Sequence, residues 1–533
     1  MRIDKVHIKT QFKNLRDFKI DIDENAWETV LLGLNATGKS NFLEALVVIF
    51  RDLDLIYNAK SKKTHFKLQP FNYYIKYECR SNNIEITLED NKYKFKVNGE
   101  SIGFEFTKNI DHYLPKHVFI YYSGISDRLN ELYIPHQRKY YDEIIKPSAK
   151  RGQFDTIRKI FLAQNVHASF ALIAFYMFKD QEEETVKFLR DELNIEDFGS
   201  ALFMLKEPDW ARGRKSNRSA SNLWGATGLV RRFLDDLLLF SFAPIEHQSR
   251  VDVTYKQSIT QSHLYLFLKD RATFQDLVEI KYKNKIELFN ALESIYISDL
   301  LYDVRIKVRK KNVNGELAMA ELSEGEKQFL TVLGLLKFTK DEESLILLDE
   351  PDTHLNPMWK WKFLDYLDKV VKRKENTQII FCSHDPLVIG NLKKNQVQIF
   401  KKNDNGKTEA FNPYVSPREM SVSKILTSEL FGIPSLMSKK LEDLLNQKRF
   451  LQAKLIQGEL SDTEKHEFER LKNYFDRIGF NEDTADSRYN QFLRLTSENK
   501  AFTKRKYTKE ETEELDRIAK EVLDEILKEE PEE

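Results

Sequence analysis

The sequence predicts an α/β fold: a mixed sheet with parallel strands and crossover helices, an antiparallel β subdomain, a helical insert and a helical C-terminal extension. Three observations carry this expectation. A short apolar strand, Thr29 to Leu32, runs straight into the Gly-rich loop GLNATGKS, and Ser40 to Phe50 then reads as a helix. A continuous apolar run, Leu345 to Leu348, ends in Asp349-Glu350. Another, Gln378 to Cys382, ends in Ser383-His384-Asp385. Unbroken apolar runs mark strands buried on both faces. Ligands of open α/β sheets gather at the carboxyl ends of such strands.

The remaining elements follow in order. Val6 and Ile8, then Phe18, Ile20 and Ile22, alternate with polar residues, so two half-buried strands open the chain. From Tyr73 to Phe106 the segments IKYEC, IEITLED and YKFKV read as an antiparallel sheet with turns at Asn82-Asn83 and Asn98-Gly99. Residues 1–140 thus form a first lobe. Runs such as FDTIRKIFLA and VRRFLDDLLLF give residues 141–300 a helical texture, interrupted by a Ser-, Gly-, Asn- and Arg-rich loop from Trp210 to Gly228. Strand character returns at Val304 to Val308, and helix and strand alternate through Phe400, so residues 301–415 form a second lobe. Residues 416–533 read as a charged helical extension. Within it Ser461 and Glu464 have capping-box spacing, and Leu515, Ile518, Val522 and Ile526 fall on one helical stripe.

Composition narrows the function classes. The chain has 533 residues, with 84 Lys+Arg against 84 Asp+Glu, so no global field draws it onto nucleic acid. Two cysteines, Cys79 and Cys382, make no disulfide framework and suit a reducing compartment. The start MRIDKVHIKTQF lacks a signal-peptide core, and the most apolar stretch, Phe170 to Phe178, is too short to span a bilayer. A cytoplasmic protein without membrane contact is expected.

The loop Gly33-Leu34-Asn35-Ala36-Thr37-Gly38-Lys39-Ser40 fits the phosphate-loop pattern G-x-x-x-x-G-K-[ST]. Its glycines let successive N–H groups turn inward toward phosphate oxygens, and the following helix adds its positive end. Lys39 would reach the β- and γ-phosphates of ATP, and the Ser40 hydroxyl would ligate Mg²⁺. Asp349 would hold the same Mg²⁺, and Glu350 would orient or deprotonate the attacking water. A lone histidine at a strand end is more often structural, but His384 converges with Lys39 and Glu350.

With those motifs in place, Leu322-Ser323-Glu324-Gly325-Glu326-Lys327-Gln328 resembles the ABC signature as it occurs in SMC- and RecF-like ATPases. Thr353 to Pro357 resembles their D-loop, and His384 their switch histidine. The resemblance covers roughly residues 1–140 and 300–415 and implies an ABC-type P-loop ATPase head. It further implies a head-to-tail homodimer, with Ser323 and Gly325 of one copy facing the γ-phosphate held by the other. Lys13, Asn14 and Asn41 would lie near the bound nucleotide. Gln137 and Gln153 are candidates for the Q-loop glutamine, with Tyr121 to Gly124 as an alternative to it. Long heptads are absent, so the chain is similar to the compact PtuA-like ATPases of Septu and related retron anti-phage systems. Ser423 to Gly432 also resembles that group, in which the ATPase works with a separate HNH nuclease and forms higher oligomers.

Three basic clusters are candidates for DNA or RNA contact: Lys60, Lys62, Lys63 and Lys67; Arg212, Arg214, Lys215 and Arg218; and Arg305, Lys307 and Arg309. The loop around Arg214 is the best of them, because it lacks acidic neighbours. Trp210 and Trp224 could stack on bases there, or anchor the loop to a core. Solvated surface is the competing reading for each cluster. The acidic C-terminal helix reads as a docking surface or a frayed tail. Functional alternatives are a DNA-repair or chromosome-maintenance ATPase and, against the wording of the signature, a transporter subunit.

Overall fold

Seven strands form the central sheet, in the spatial order Thr408–Phe411, Val397–Lys402, Glu28–Leu32, Thr377–Cys382, Ser344–Asp349, His117–Tyr122 and Ile160–Ala163. All neighbours run parallel except the first pair. The computed structural model describes residues 1–59, 71–124, 129–150, 154, 157–211, 219–254, 257–311, 313, 315–338, 343–371, 373–433, 436–457, 460–477, 514–515 and 517–522. Residues 1–433 make one compact unit and 434–533 a second.

The unbroken apolar runs arise because the sheet is covered on both faces. Leu345, Leu347 and Ile380 enter one core with the helix Lys39–Ala59. Ile346, Leu348, Ile379 and Phe381 enter the other core on the opposite face. Period-two alternation therefore sends each strand's side chains into two apolar interiors rather than one. Both strands come out fully buried.

On the first core lies a six-stranded antiparallel sheet, running from Phe18–Asp21 through Arg2–Ile8, Tyr73–Cys79, Asn82–Glu89 and Lys92–Val97 to Glu100–Ser101. Asn98 and Gly99 turn with φ of +52° and +85°, as an Asn-Gly hairpin requires. The other expected turn shifts by two residues. Arg80 and Ser81 take φ of +49° and +59°, while Asn82 and Asn83 already pair with Cys79 and Glu78.

The expected helical insert needs correction. Helices Asn165–Met177, Glu183–Leu193, Gly228–Phe240, Arg271–Lys281 and Lys285–Ile297 are present, but so are three long strands. Ile195–Lys206, Phe242–Thr254 and Gln257–Leu268 join Leu301–Lys310 and Glu316–Ala318 in a five-stranded antiparallel sheet. Ile195–Lys206 is buried along most of its length, so its apolar residues run together and mimic a buried helix. Ile160–Ala163, read as part of a helical run, is the edge strand of the central sheet; four apolar residues do not distinguish the two states. The helix Asn130–Ile144 also runs across the boundary expected at residue 140.

The second unit holds the helices Lys439–Gln457 and Asp462–Arg477. The Ser461 N–H donates to Glu464 Oε2 at 2.9 Å and the Glu464 N–H to Ser461 Oγ at 3.4 Å, the capping box expected at that restart. Leu515, Ile518 and Val522 lie in a described helical segment, whereas Ile526 is outside the described residues. No described helix is long and apolar enough to cross a membrane.

Candidate functional site

The Gly-rich loop closes the end of Glu28–Leu32, a strand buried at every position. Its backbone reverses through φ of +139° at Gly33, +62° at Ala36 and +105° at Gly38. A Cβ at Gly33 would collide with the Phe400 carbonyl oxygen, so a side chain there is excluded by both space and dihedral. Thr37 Oγ1 donates to the Leu34 carbonyl at 2.8 Å, and Thr408 Oγ1 donates to the Thr37 carbonyl at 2.9 Å from the edge strand. Asn14 Nδ2 donates to the Ala36 carbonyl at 3.1 Å and itself accepts from Asn41 Nδ2 at 2.6 Å. The loop is held from three sides before any ligand arrives.

Lys39 opens the helix and folds back over this loop. Its Nζ donates to the carbonyls of Gly33 at 2.7 Å and Leu34 at 3.2 Å. Burial pushes the ammonium pKa down, and nearby Cys382, Asp349 and Glu350 oppose that. Asn35, whose neighbour Leu34 is 75% exposed, lies with Gly33 on an open cleft of about 710 Å³ that also meets Ser383, His384, Phe431 and Gly432.

The acidic strand end meets the loop from the other side. Asp349 pairs in register with Cys382 on one neighbouring strand and Tyr122 on the other. Ser40 and Asp349 line one small cavity together with Glu44. The next residue, Glu350, takes a left-handed φ of +52° while its N–H donates to the Cys382 carbonyl at 3.1 Å. Such a conformation is costly for a non-glycine residue and concentrates at functional sites. It turns the Glu350 side chain out of the sheet, where His384 Nε2 stands 3.4 Å from its Oε1. Burial and Lys39 lower the His384 pKa against the pull of Glu350, so the imidazole favours its neutral form.

Ser323 caps the helix Glu324–Phe329 through the box its spacing suggested. Its N–H donates to Glu326 Oε2 at 2.9 Å, and the Glu326 N–H returns to Ser323 Oγ at 3.2 Å. Lys310 Nζ braces Glu326 from the neighbouring strand at 2.6 Å. Ser323 is exposed, and neither cavity at the phosphate loop includes it. Gly325 is buried against the D-loop, where an added Cβ would lie 2.5 Å from the His354 carbonyl oxygen.

The Gly-rich loop, a buried lysine, two consecutive carboxylates and a histidine thus gather at the carboxyl ends of parallel strands. The family model described as "AAA domain, putative AbiEii toxin, Type IV TA system" matches residues 29–390. The chain belongs to this AAA-domain family. Among curated proteins, the Septu protein PtuA of Bacillus mycoides (strain KBAB4) is 24% identical over 157 residues, 28% of this chain and 22% of its own. The Retron Ec83 probable ATPase of Escherichia coli is 22% identical over 446 residues, 75% of this chain and 72% of its own. Two solved structures align loosely. The SMC head domain from Thermotoga maritima has a TM-score of 0.33 at 12% identity, covering 78% of this chain and 100% of that one. Stu0660 of Streptococcus thermophilus has a TM-score of 0.27 at 11% identity, covering 93% and 100%.

Several residues of this AAA-domain site carried no legible role in the sequence. Gln328 is buried and bridges two loops, its Nε2 donating to the Glu350 carbonyl at 3.3 Å and its Oε1 accepting from the His354 N–H at 2.9 Å. Asp352 accepts from Ser383 Oγ at 2.9 Å, and burial first of all raises its pKa to about 6. Cys382 is fully buried beside Asp349 and Lys39, and burial keeps its thiol protonated. Thr408 has no signal at all, because only the fold brings its strand to the loop.

The remaining candidates fall elsewhere. Lys13 pairs with Glu44 of the loop helix, while Asn14 touches the loop itself. Gln137 lies on Asn130–Ile144, and Gln153 is outside the described residues. The clusters Lys60, Lys62, Lys63, Lys67 and Arg212, Arg214, Lys215, Arg218 are also outside them. Arg305, Lys307 and Arg309 share one exposed strand face, but Arg305 pairs with Asp303 and Arg309 with Asp197, each at 3.1 Å. Trp210 donates to the Ser298 carbonyl at 2.9 Å and Trp224 is buried, so both tryptophans are held against the core rather than offered for stacking.

Proposed function

We propose that this chain binds Mg-ATP at the Lys39 loop and hydrolyses it as a head-to-tail pair, and that the nucleotide state governs a separate nuclease in anti-phage defence. The observation that carries the catalytic part is the pairing of Glu350 with His384, which lines the cleft beside the Gly33 loop. Loop N–H groups and Lys39 would hold the phosphates. Ser40 and Asp349, side by side on one cavity, would hold Mg²⁺, which supplies charge neutralisation when bound. Glu350 would take the proton of the attacking water as the new P–O bond forms and the β–γ bridge opens. His384, neutral, would orient that water or a γ-phosphate oxygen.

The pairing part rests on surface chemistry. Leu34 at 75%, Met358 at 58% and Trp361 at 53% exposure flank the loop and the D-loop, where a second copy would cover them. Ser323 is exposed, and its hydroxyl, which now donates to Glu326 Oε2 at 3.1 Å, would have to leave that carboxylate to meet the partner's γ-phosphate. The defence role rests on the names of the two curated relatives, a Septu protein and a retron ATPase.

One experiment tests the reading as a whole. The Glu350→Gln chain, co-expressed with the product of its neighbouring gene, is weighed by native mass spectrometry with and without ATP. ATP-dependent doubling and co-purification of a nuclease are expected. A monomer that ignores ATP would reject the pairing, and co-purification of a permease or recombination protein would reject the defence role.

A further inference from the structure

The five-stranded antiparallel sheet ends on one side in Phe242–Thr254, which pairs with Gln257–Leu268 and with no other strand among the described residues. Its outer edge therefore presents unpaired backbone N–H and C=O groups, a template for a further strand. The next strand inward, Ile195–Lys206, ends with Lys206 opposite His263. Beyond that pair Gln248 to Asp252 and Ser258 to Ser262 run on as a two-stranded ribbon. The Glu207 backbone holds its base, donating to the Ser262 carbonyl and accepting from Gln261 Nε2. A ribbon of two strands is marginal in water, and further strands steady it.

Backbone features that block edge pairing are confined to the start of the strand. Ala243 takes a left-handed φ of +48°, Pro244 has no N–H to give, and the register slips between Phe242 and Ile245. From Ile245 to Asp252 every residue pairs in step with the inner strand. Ile245 is 59% exposed, and Glu246, His247, Gln248, Arg250 and Asp252 are exposed as well.

The side chains of this stretch fit a second copy of themselves. Period two puts Glu246, Gln248 and Arg250 on one face and Ile245, His247, Ser249 and Val251 on the other. Glu246 and Arg250 stand four residues apart, about 13 Å along a strand, too far to meet within it. Neither has an ionic partner among the described residues: Glu246 Oε1 accepts from Ser262 Oγ at 3.1 Å, and Arg250 donates to Ser258. An antiparallel twin must place its twofold axis on a residue, because opposite residues both direct their backbone groups at each other or both away. With the axis at Gln248, Glu246 faces Arg250 of the second copy and Ile245 faces its Val251. With the axis at Ser249, Glu246 would face Asp252, and at His247, Arg250 would face Pro244. Opposite charges directly across stabilise a strand pair and like charges weaken it, so the Gln248 register wins.

We propose that the edge from Ile245 to Val251 pairs with the same edge of a second copy about a twofold axis at Gln248. The interface is isologous, so each Glu246–Arg250 contact occurs twice. Two marginal ribbons become one four-stranded sheet. No residue of the phosphate loop takes part, so this pairing needs no nucleotide and stands apart from the proposed pairing of heads. Where both form, head pairs would be linked into larger assemblies.

The test is sedimentation velocity on the full chain carrying Lys39→Ala, without nucleotide, so that head pairing plays no part. A dimer is expected at micromolar concentration. Glu246→Arg and Arg250→Glu, made separately on that chain, each set like charges opposite one another twice and should weaken self-association about tenfold or more. Both positions are exposed, so the variants should melt as the parent does. Mixing the two variants restores opposite charges at both contacts, and a heterodimer within about threefold of the parent affinity should form. A monomeric parent means that the edge serves another occupant, and overturns the proposal. So does unchanged self-association of the single variants, or failure of the two folded variants to combine.

Discussion

His384 Nε2 stands 3.4 Å from Glu350 Oε1, across the carboxyl ends of two adjacent parallel strands. The backbone brings the two residues side by side. The Glu350 N–H is bonded to the Cys382 carbonyl, two residues before His384, and the left-handed Glu350 backbone aims its carboxylate at the ring. Replacing Glu350 by Gln keeps the shape and removes the proposed base. Phosphate release should fall about 10²–10⁴-fold, while nucleotide affinity measured by fluorescent-analogue titration stays within about threefold of the parent. Unchanged turnover would remove Glu350 from the chemistry.

Lys39→Ala should abolish measurable ATP binding. It removes the ammonium that donates to the Gly33 and Leu34 carbonyls, and with it the charge that would face the phosphates. Thermal stability without nucleotide should move little, because two hydrogen bonds from a buried cation offset the desolvation of that cation. Calorimetry with ATP, beside a melting curve without it, separates lost binding from lost folding.

Ser323→Arg and Gly325→Ala probe the signature helix differently. The first places a long cation at an exposed cap, so ATP binding to the single chain should persist while turnover fails through blocked pairing. The second pushes a methyl group to 2.5 Å from the His354 carbonyl and should cost roughly 1–3 kcal/mol of stability. Turnover plotted against protein concentration tells a pairing defect from a folding defect. Normal turnover in Ser323→Arg would mean that the site is complete within one chain.

The pH dependence of Asp352 has a definite sign. Its folded pKa lies near 6 against an ordinary value near 3.8, burial being the first cause. Between those values the unfolded chain ionises while the folded chain keeps its proton. The stability this group contributes is therefore full below about pH 4 and is lost as pH rises through 6. Asp352→Asn cannot ionise, yet its amide oxygen can still accept from Ser383. Relative to the parent, the variant should gain roughly 1–3 kcal/mol between pH 4 and pH 7.5. Denaturant melts at the two pH values measure this, and a constant gap would contradict the raised pKa.

Much of the candidate site was legible because its parts are contiguous in sequence. A phosphate loop needs eight adjacent residues, and a strand buried on both faces betrays itself by an unbroken apolar run. Glu350 and His384 could thus be placed at strand ends before their distance was known. Gln328 and Thr408 could not, because they act through contacts 22 and 371 residues away that no local pattern encodes. The insert failed for a different reason. In Gln257–Leu268 the buried Leu264, Leu266 and Leu268 alternate with Tyr265 and Phe267, a period of two, but only at one end of the strand. The strong helical runs on either side outweighed that short signal.

The Gln328 amide has a mechanical consequence. Gln328 follows Ser323 by five residues, and one end of it grips the carbonyl of Glu350 while the other grips the backbone N–H of His354. In the proposed head-to-tail pair Glu350 would serve its own nucleotide and Ser323 the neighbour's. Any displacement of the Ser323 turn would then drag Glu350, the proposed general base, along, or break a buried amide hydrogen bond at a cost of about 1–3 kcal/mol. In such a pair, firing in one half would be felt in the other as a pull on Glu350.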